Sequence, residues 1–203
     1  IKVSEVPVTY GGKALHNVMN CLPAVLSTYF WRDIEIEDIK LALQTFVPSS
    51  AQTPGRLNMF QFKHFQFLVD FAHNPAGLEL LCDFISKLDG EPKVGIISGT
   101  GDRRDEDIKE LGRISGRSFD EIIIRQDKNL RGRTAEEIVN LLVEGINETK
   151  TKDIPIEIIY NEKEAIMHAY NNAKPGSLIT IMCDVVAEAL DLIKGLKEKE
   201  DAE

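Results

Sequence analysis

Residues 52–75 place polar side chains where a predicted strand ends. The stretch reads QTPGRLNMFQFKHFQFLVDFAHNP, and Asp70 directly follows the apolar run 65–69. Open α/β sheets bind ligands at the carboxyl ends of their strands. The two carboxylate oxygens of Asp70 suit either the N–H groups of the next helix or the hydroxyl groups of a ribose. Arg56 carries a rigid fork of donors that suits a phosphate, and a plain linker residue is the alternative.

Two later loops combine glycines with arginines, and each follows a predicted strand. Residues 98–107 read SGTGDRRDED and lead into a helix, where backbone donors and the positive end of the helix dipole hold anions. The acidic residues 105–107 would stabilise that helix start without any ligand. Residues 125–133 read RQDKNLRGR. Seven arginines of this region are candidates for binding phosphate, carboxylate or an acidic polymer, with solvated surface as the alternative: Arg103, Arg104, Arg113, Arg117, Arg125, Arg131 and Arg133.

A third loop, residues 182–188, reads MCDVVAE and follows the last predicted strand. Asp184 in this loop either caps the final helix or recognises a cationic side chain, since a guanidinium needs an acceptor that is preferably bidentate. All of these loops follow strands, so their side chains should gather along one edge of the sheet.

The elements that position these loops alternate between strands and helices from residue 55 to the end, which predicts a mostly parallel, Rossmann-like α/β sheet flanked by helices. A hairpin is predicted at 57–62 and 65–69, and runs such as VGII, EIII and IEII indicate strands buried on both faces. The further strands are predicted at 93–98, 121–125, 156–159 and 178–182. The helices between and after them are predicted at 75–88, 105–117, 134–148, 162–173 and 185–197.

The first 50 residues follow another pattern. Residues 1–10 read as a strand, and helices are predicted at 14–30 and 35–46, the second started by Asp33 or Glu35. We expect these elements to be the remnant of one domain, with a second domain over residues 51–203. After Leu196 the apolar period stops, so the C-terminal residues are expected to fray.

Composition bounds the class of protein. The chain has 203 residues, 43% hydrophobic residues and a formal net charge of −9, which argues against a nucleic-acid surface. No run approaches the roughly 20 apolar residues of a membrane span, and the first residues lack a charged-then-apolar leader, so a cytoplasmic location is expected. Cys21, Cys82 and Cys183 stand among apolar neighbours and are predicted to be buried free thiols, with no metal site indicated.

Several separated motifs resemble one family. DFAHNP resembles the Asp-aromatic-Ala-His-x-Pro signature that opens the C-terminal domain of Mur-type amide ligases. QTPGR, GDRRDED and LRGR narrow the resemblance to the cyanophycin synthetases, whose Mur-like half joins arginine to a poly-aspartate backbone. The resemblance implies that Arg56 meets ATP and that Asp70 binds its ribose. It also implies that His73, with Asn74, orients the loop rather than transferring a proton, and a structural polar residue is the alternative for His73.

The resemblance extends to both substrates. His16, Asn17 and Asn20 echo the His-Asn-x-x-Asn motif on the adenine side of the central ATPase domain. In ligases that add diaminopimelate, a Gly-Asp-Arg loop faces the amino acid, so Arg103 is implied to hold its carboxylate.

The loop after the next strand departs from the family. Relatives carry Asp-Asn-Pro-Arg where this chain has an inserted Lys128 and Leu130 in place of proline, and Asn129 with Arg131 remain the best matches for amino-acid contact. Asp184 stands where relatives have Gly-Lys-Gly-His-Glu.

The resulting hypothesis is an ATP-dependent amide ligase that adds arginine to aspartate side chains of cyanophycin through an acyl phosphate. ATP, arginine and an aspartyl polymer are the implied partners, with magnesium ligands outside this fragment and a homo-oligomer for the full-length protein. The chain lacks a Gly-x-x-x-x-Gly-Lys-Ser/Thr motif, so alone it is expected to be inactive. The alternatives are a peptidoglycan Mur ligase or folylpolyglutamate synthase relative and a non-catalytic nucleotide- or anion-binding module.

Overall fold

A six-stranded, mostly parallel sheet forms the centre of the protein, whose computed structural model describes residues 1–31 and 34–202. The strands lie in the order β1-β2-β6-β3-β4-β5. Only β1 runs antiparallel, as the first arm of a hairpin with β2, and every other neighbouring pair is parallel. The strands are β1 Asn58–Gln61, β2 Gln66–Asp70, β3 Lys93–Ile97, β4 Glu121–Ile124, β5 Ile156–Ile158 and β6 Leu178–Met182.

Helices cover both faces of this sheet, because each parallel connection needs a crossover. One face packs against α3, α4 and α5, and the other packs against α6 and α7. The helices are α1 Leu15–Tyr29, α2 Ile36–Thr45, α3 Pro75–Ser86, α4 Asp105–Ser118, α5 Ala135–Thr149, α6 Glu162–Asn171 and α7 Val186–Ala202. The α/β fold and its mostly parallel sheet are thus confirmed.

Caps fix where several of these helices begin. Asn74 accepts the N–H of Gly77 at 2.8 Å with Pro75 at the first helical position, and Thr134 forms a reciprocal capping box with Glu137. Asn161 caps α6 through the N–H of Glu164. Because these caps precede the helices that follow β2, β4 and β5, they fix the loops at the carboxyl edge of the sheet.

The N-terminal residues correct the sequence interpretation. Residues 1–10 form two short 3₁₀ turns instead of a strand, and the Thr9 hydroxyl donates to the carbonyls of Val3 and Val6 at 2.8 and 2.7 Å. Such local hydrogen bonds compete with extended structure. Asp33, a predicted helix-starting residue, lies outside the described residues, and Glu35 holds the N-cap position of α2 without a side-chain hydrogen bond.

Two further predictions were wrong. Strand β5 is an edge strand with Glu157 and Ile158 exposed, so its apolar run does not mark burial on both faces. Helix α7 does not fray after Leu196: it continues to Ala202, and the carboxylate of Glu200 accepts the backbone N–H of Lys63 at 3.0 Å. No helix within the described ranges is both long and apolar enough to cross a membrane, and the predicted location stays a prediction.

Candidate functional site

One cavity brings together the residues predicted for nucleotide binding. It has a volume of 470 Å³ and lies between α1, the linker before β1, and the carboxyl end of β2; we call it the linker cavity. Three separate segments contribute the five residues predicted to bind ATP, which are His16, Asn17, Asn20, Arg56 and Asp70. The two residues predicted to orient the loop, His73 and Asn74, also line the cavity.

Asp70 connects the linker to the sheet through a hydrogen bond. As the last residue of β2 it is 8% exposed, and its Oδ2 accepts the N–H of Leu57 at 2.9 Å. Burial raises the pKa of Asp70, while the N–H groups of Leu57 and Ala72 and the charge of Arg56 oppose that rise. The cap of α3 is therefore Asn74, not Asp70, and Asp70 retains acceptor capacity beyond these two bonds because each oxygen has two lone pairs.

The linker turn has a strained but well-supported backbone. Leu57 adopts a left-handed φ of 49°, which is uncommon for a residue other than glycine. Asn58 holds the turn from inside, since its Oδ1 accepts the N–H of Gly55 at 2.7 Å and its Nδ2 donates to the carbonyl of Thr53 at 3.0 Å. A Cβ on Gly55 would lie 2.7 Å from Val186. These contacts fix the place from which Arg56 projects.

Arg56 and His73 flank the ring of Phe71. The guanidinium carbon of Arg56 lies 5.7 Å from the ring centroid, and the His73 ring lies 4.9 Å from it. Nδ1 of His73 is 3.0 Å from the carbonyl oxygen of Phe71, a contact that orients the loop. The exposed Arg56 guanidinium thus has a supported position and remains open to an anion.

The α1 side of the cavity presents a histidine with an unused ring nitrogen. Nδ1 of His16 is buried and has no hydrogen-bond partner in the part of the chain that the structure describes. Burial lowers the pKa of His16 despite the nearby Asp70 and Asp83 carboxylates, which favours the neutral ring. The side-chain amide of Asn17 donates to the carbonyl of Val8 at 2.8 Å, so part of its hydrogen-bonding capacity is used within the protein.

The loops after β3 and β4 are joined by two arginines; we call residues 100–103 and 129–133 the paired arginine loops. Arg133 donates from Nε to the Gly101 carbonyl and from Nη2 to the Arg103 carbonyl, both at 2.9 Å. Arg131 pairs with the exposed Asp102 at 2.7 Å and lowers its pKa. Arg133 therefore holds the two loops together through backbone carbonyls, whereas Arg131 pairs with an exposed carboxylate, that of Asp102.

The other two predicted residues of these loops, Asn129 and Arg103, differ in their hydrogen bonding. Oδ1 of Asn129 accepts the N–H of Arg131 at 2.9 Å and shapes its own loop, in which Arg131 has a φ of 49°. Nε of Arg103 is buried without a hydrogen-bond partner among the described residues. A buried donor left unsatisfied is costly, so Arg103 is a candidate for contact with an anionic ligand.

Asp184 lies in a different cavity, of 750 Å³, which we call the acidic cavity; five carboxylates and two lysines line it. Its Oδ2 accepts the N–H of Lys128 at 2.8 Å, while its own N–H donates to Glu162 at 2.6 Å. Within the described residues no backbone N–H of α7 donates to this carboxylate, and the side chain is partly exposed instead of facing the core. It also lies close enough to Arg131 to contribute to the raised pKa of that residue, after the larger effect of Asp102.

The sequence analysis did not predict that Arg125 is a buried structural residue. Its guanidinium is 1% exposed, contacts Asp127 at 2.5 Å and donates to the carbonyl of Met182. Its Nε lies 3.2 Å from Glu162 without the alignment of a hydrogen bond. A charged residue directly after an apolar strand was the available signal. Arg125 thus joins β4, β6 and α6, and it contacts Asp127 and Glu162, two residues that line the acidic cavity.

The two cavities lie over neighbouring strands. Asp70 ends β2 opposite Met182 of β6, and the N–H of Cys183 donates to the Asp70 carbonyl at 2.9 Å. Asp184 follows directly. Among residues 1–31 and 34–202, no group of three or more His, Cys, Asp or Glu side chains is arranged to hold a metal ion. Over the same residues the three cysteines are free, with Cys82 and Cys183 buried and Cys21 half-buried.

Comparisons with known proteins agree on one family. The family described as Mur ligase, glutamate ligase domain, matches residues 55–184. Cyanophycin synthetase of Crocosphaera subtropica is 40% identical over 189 residues. That alignment covers 93% of this chain but only 21% of the relative, so the chain spans about a fifth of its length.

Solved structures show the same fold at low identity. E. coli FolC in complex with ADP has a TM-score of 0.64 at 18% identity, covering 86% of this chain and 38% of that one. A bifunctional folylpolyglutamate synthase/dihydrofolate synthase with Mn, AMPPNP and L-glutamate bound has a TM-score of 0.63 at 18% identity, covering 83% and 38%.

Proposed function

Because the chain belongs to the Mur ligase family through its glutamate ligase domain, we propose that it supplies the C-terminal, lid-side part of an ATP-dependent amide ligase of the cyanophycin synthetase type. The observation that carries this proposal is the linker cavity, which is lined by all five residues predicted to bind ATP and by the two predicted to orient the loop. Its volume of 470 Å³ suits part of a nucleotide, since small-molecule sites commonly measure ~300–1,000 Å³. The identity of 40% to a cyanophycin synthetase, against 28% to the diaminopimelate-adding Mur ligase of Aquifex aeolicus, supports this type over the other ligases.

Each residue of the cavity has a chemical role in this proposal. The buried carboxylate of Asp70 accepts hydrogen bonds from the ribose hydroxyl groups, and the exposed Arg56 meets the phosphates with its planar donors. His16, Asn17 and Asn20 line the side that receives the adenine. Residues 1–50 would then belong to the central ATPase domain and residues 51–203 to the lid, so that the nucleotide lies between them.

The paired arginine loops and Asp184 are proposed to receive the amino acid. Arg103 and Arg131 bind its α-carboxylate, while Asn129 fixes the shape of the loop that presents Arg131. Binding would require Arg131 to exchange its exposed partner Asp102 for the substrate. Asp184 lies on the acidic side of these loops, so a cationic side chain points there and the α-amine stays free.

In the proposed reaction an aspartate side-chain carboxylate of the polymer attacks the γ-phosphate of ATP, which forms an acyl phosphate and releases ADP. The α-amine of arginine then displaces phosphate and forms the amide. Magnesium, when bound, neutralises phosphate charge, and its ligands are proposed to lie outside these 203 residues. The sequence lacks the Gly-x-x-x-x-Gly-Lys-Ser/Thr loop that cradles phosphates, so the chain alone should not release phosphate from ATP.

Steady-state kinetics of the complete protein that contains this chain test the proposal. Phosphate release should require ATP, magnesium, arginine and an aspartyl polymer together. Asp70→Ala should raise the KM for ATP and Arg56→Ala should lower kcat, each by roughly ten- to a hundredfold, since a charged hydrogen bond is worth ~1.5–3 kcal/mol. Arg104→Ala is the matched control, because among the described residues the guanidinium of this exposed arginine pairs with Asp107 and with no other side chain.

Two outcomes would contradict the proposal. Unchanged kinetics in both variants, together with earlier melting, would make Asp70 and Arg56 structural residues of the linker. Phosphate release by the 203-residue chain at the rate of the complete protein would show that the lid side is sufficient for catalysis.

A further inference from the structure

One hydroxyl group joins the α1 side of the linker cavity to the linker turn. Tyr10 lies in the segment that leads into α1, and its hydroxyl donates to the carbonyl of Leu57 at 2.6 Å across 47 positions of the chain. The N–H of Leu57 donates at the same time to Oδ2 of Asp70 at 2.9 Å. Both backbone polar groups of Leu57 are therefore held, one by the sheet and one by the N-terminal segment.

These two hydrogen bonds enclose the strained residue of the linker. Leu57 has a φ of 49° and is 2% exposed. A left-handed backbone at a residue other than glycine persists where the surrounding structure over-determines it. The Asp70 carboxylate constrains the N–H side of Leu57, and the Tyr10 hydroxyl constrains its carbonyl side. Arg56 directly precedes this residue, so the direction of its side chain depends on both bonds.

Tyr10 has a fixed position of its own. It ends the second 3₁₀ turn with a φ of 51°, and its N–H donates to the carbonyl of Pro7 at 3.0 Å. Its ring contacts the buried ring of Phe84 on α3 edge-on, with the ring centroids 5.2 Å apart. Burial raises the pKa of Tyr10 to about 12, and the charge of Asp70 adds to this rise. At neutral pH the hydroxyl is therefore protonated and able to donate.

The segment that carries Tyr10 also holds the adenine side of the cavity. Ala14, just before α1, is fully buried in the core on the α3 side of the sheet. Asn17 on α1 donates to the carbonyl of Val8 at 2.8 Å, which ties the helix back to the same segment. The hydrogen bond of Tyr10 thus joins the α1 residues of the cavity to the linker turn.

We propose that Tyr10 is a positioning residue of the nucleotide site. By holding the carbonyl of Leu57, its hydroxyl fixes the linker turn in the conformation from which Arg56 reaches the phosphates. This inference rests on the proposed function, because it states what places an arginine that the proposal assigns to ATP. A hydroxyl that only stabilises the fold is the alternative, and its loss would act independently of Arg56.

A double-mutant cycle in the complete protein separates these two roles. Tyr10→Phe keeps the ring on Phe84 and removes the hydroxyl, so kcat should fall by about three- to tenfold, the range for a neutral hydrogen bond. The KM for ATP should change less, because the contact of Asp70 with the ribose remains. Combined with Arg56→Ala, Tyr10→Phe should lower kcat no further, because the group that it positions is absent. Losses that multiply in the double variant would refute the positioning role.

Tyr170→Phe is the matched control for the loss of a hydroxyl. The ring of Tyr170 also contacts a phenylalanine edge-on, Phe62, with centroids 5.5 Å apart, but it lies on the other face of the sheet, outside the linker cavity. This variant should keep the kcat of the parent. A fall in kcat as large as that of Tyr10→Phe would reduce the effect to the loss of any packed hydroxyl and would overturn the proposal.

Amide hydrogen exchange of the ¹⁵N-labelled chain tests the contact without any nucleotide. In Tyr10→Phe the Leu57 amide should exchange about three- to tenfold faster than in the parent. The amides of α5, which packs far along the sheet, should keep their rates. Exchange of the Leu57 amide at the parent rate, or an equal acceleration throughout α5, would contradict a local role of Tyr10.

Arg56→Ala alone distinguishes a failure of this inference from a failure of the proposed function. If Arg56→Ala lowers kcat and Tyr10→Phe does not, the positioning role fails while the nucleotide site stands. If Arg56→Ala leaves kcat unchanged, the role assigned to Arg56 fails, and the positioning role that acts through it fails with it.

Discussion

Gly101→Ala should separate the paired arginine loops. A Cβ on Gly101 would lie 2.0 Å from the carbonyl oxygen of Leu130, and real Cβ contacts essentially never fall below 3.0 Å, so the two backbones must move apart by about 1 Å. Arg133 spans this gap with bonds of 2.9 Å to Gly101 and 2.9 Å to Arg103. A 1 Å displacement would lengthen both beyond the ~3.2 Å limit of a hydrogen bond.

The expected loss of unfolding free energy is about 2–3 kcal/mol. Each charged hydrogen bond contributes ~1.5–3 kcal/mol when buried, and the partly exposed Arg133 recovers some of this from water. Urea unfolding followed by far-UV circular dichroism measures the loss, and backbone amide shifts locate it in the two loops. Gly195→Ala is the control, because its Cβ meets nothing within 4 Å and the helix interior should gain ~0.5–1 kcal/mol. Equal stability of Gly101→Ala and the parent would refute this reasoning.

Three further predictions concern buried ionisable groups. Arg125→Met leaves two half-buried carboxylates, Asp127 and Glu162, without their buried cation, so urea unfolding should show a loss of about 3–5 kcal/mol. A loss below ~1 kcal/mol would contradict the role of Arg125. Burial raises the pKa of Asp70 above 3.8, so the stability of the parent relative to Asp70→Asn should fall as pH rises through the raised pKa; a pH-independent difference would argue against it. Iodoacetamide should alkylate Cys21 first, since burial raises the pKa of Cys82 to about 11 and of Cys183 to about 12. Peptide mass spectrometry measures the order of modification, and modification of Cys183 first would contradict the fold.

Apolar runs predicted the sheet well because a parallel strand is buried along its whole length. Strand β6 has the predicted limits, and β3 and β4 end one residue early. The failures occurred where tertiary position decided the outcome. Nothing in the run IEII of residues 156–159 shows that β5 lies at an edge, and the contact of Glu200 with the Lys63 N–H joins residues 137 positions apart.

The sequence predicted which loops form the candidate site, but not which groups the side chains of those loops contact. Topology placed Asp70, Arg103 and Asp184 at one edge, because each follows a strand. The contact of Asp70 with the linker could not be predicted, because its carboxylate accepts the N–H of Leu57, a residue 13 positions earlier in the chain. Likewise the burial of Arg125 depends on Glu162 and on the carbonyl of Met182, which are distant in sequence. Sequence gives the order of loops, whereas packing decides which charges face a ligand.

The central claim is that the linker cavity binds the nucleotide, and a crystal structure of the complete protein with AMPPNP and magnesium tests it most directly. The account predicts ribose hydroxyl groups within ~3.2 Å of the Asp70 carboxylate, phosphate oxygens within reach of the Arg56 guanidinium, and the base beside His16 and Asn20. A nucleotide bound elsewhere, with Asp70 bonded only to the N–H groups of Leu57 and Ala72, would contradict the account.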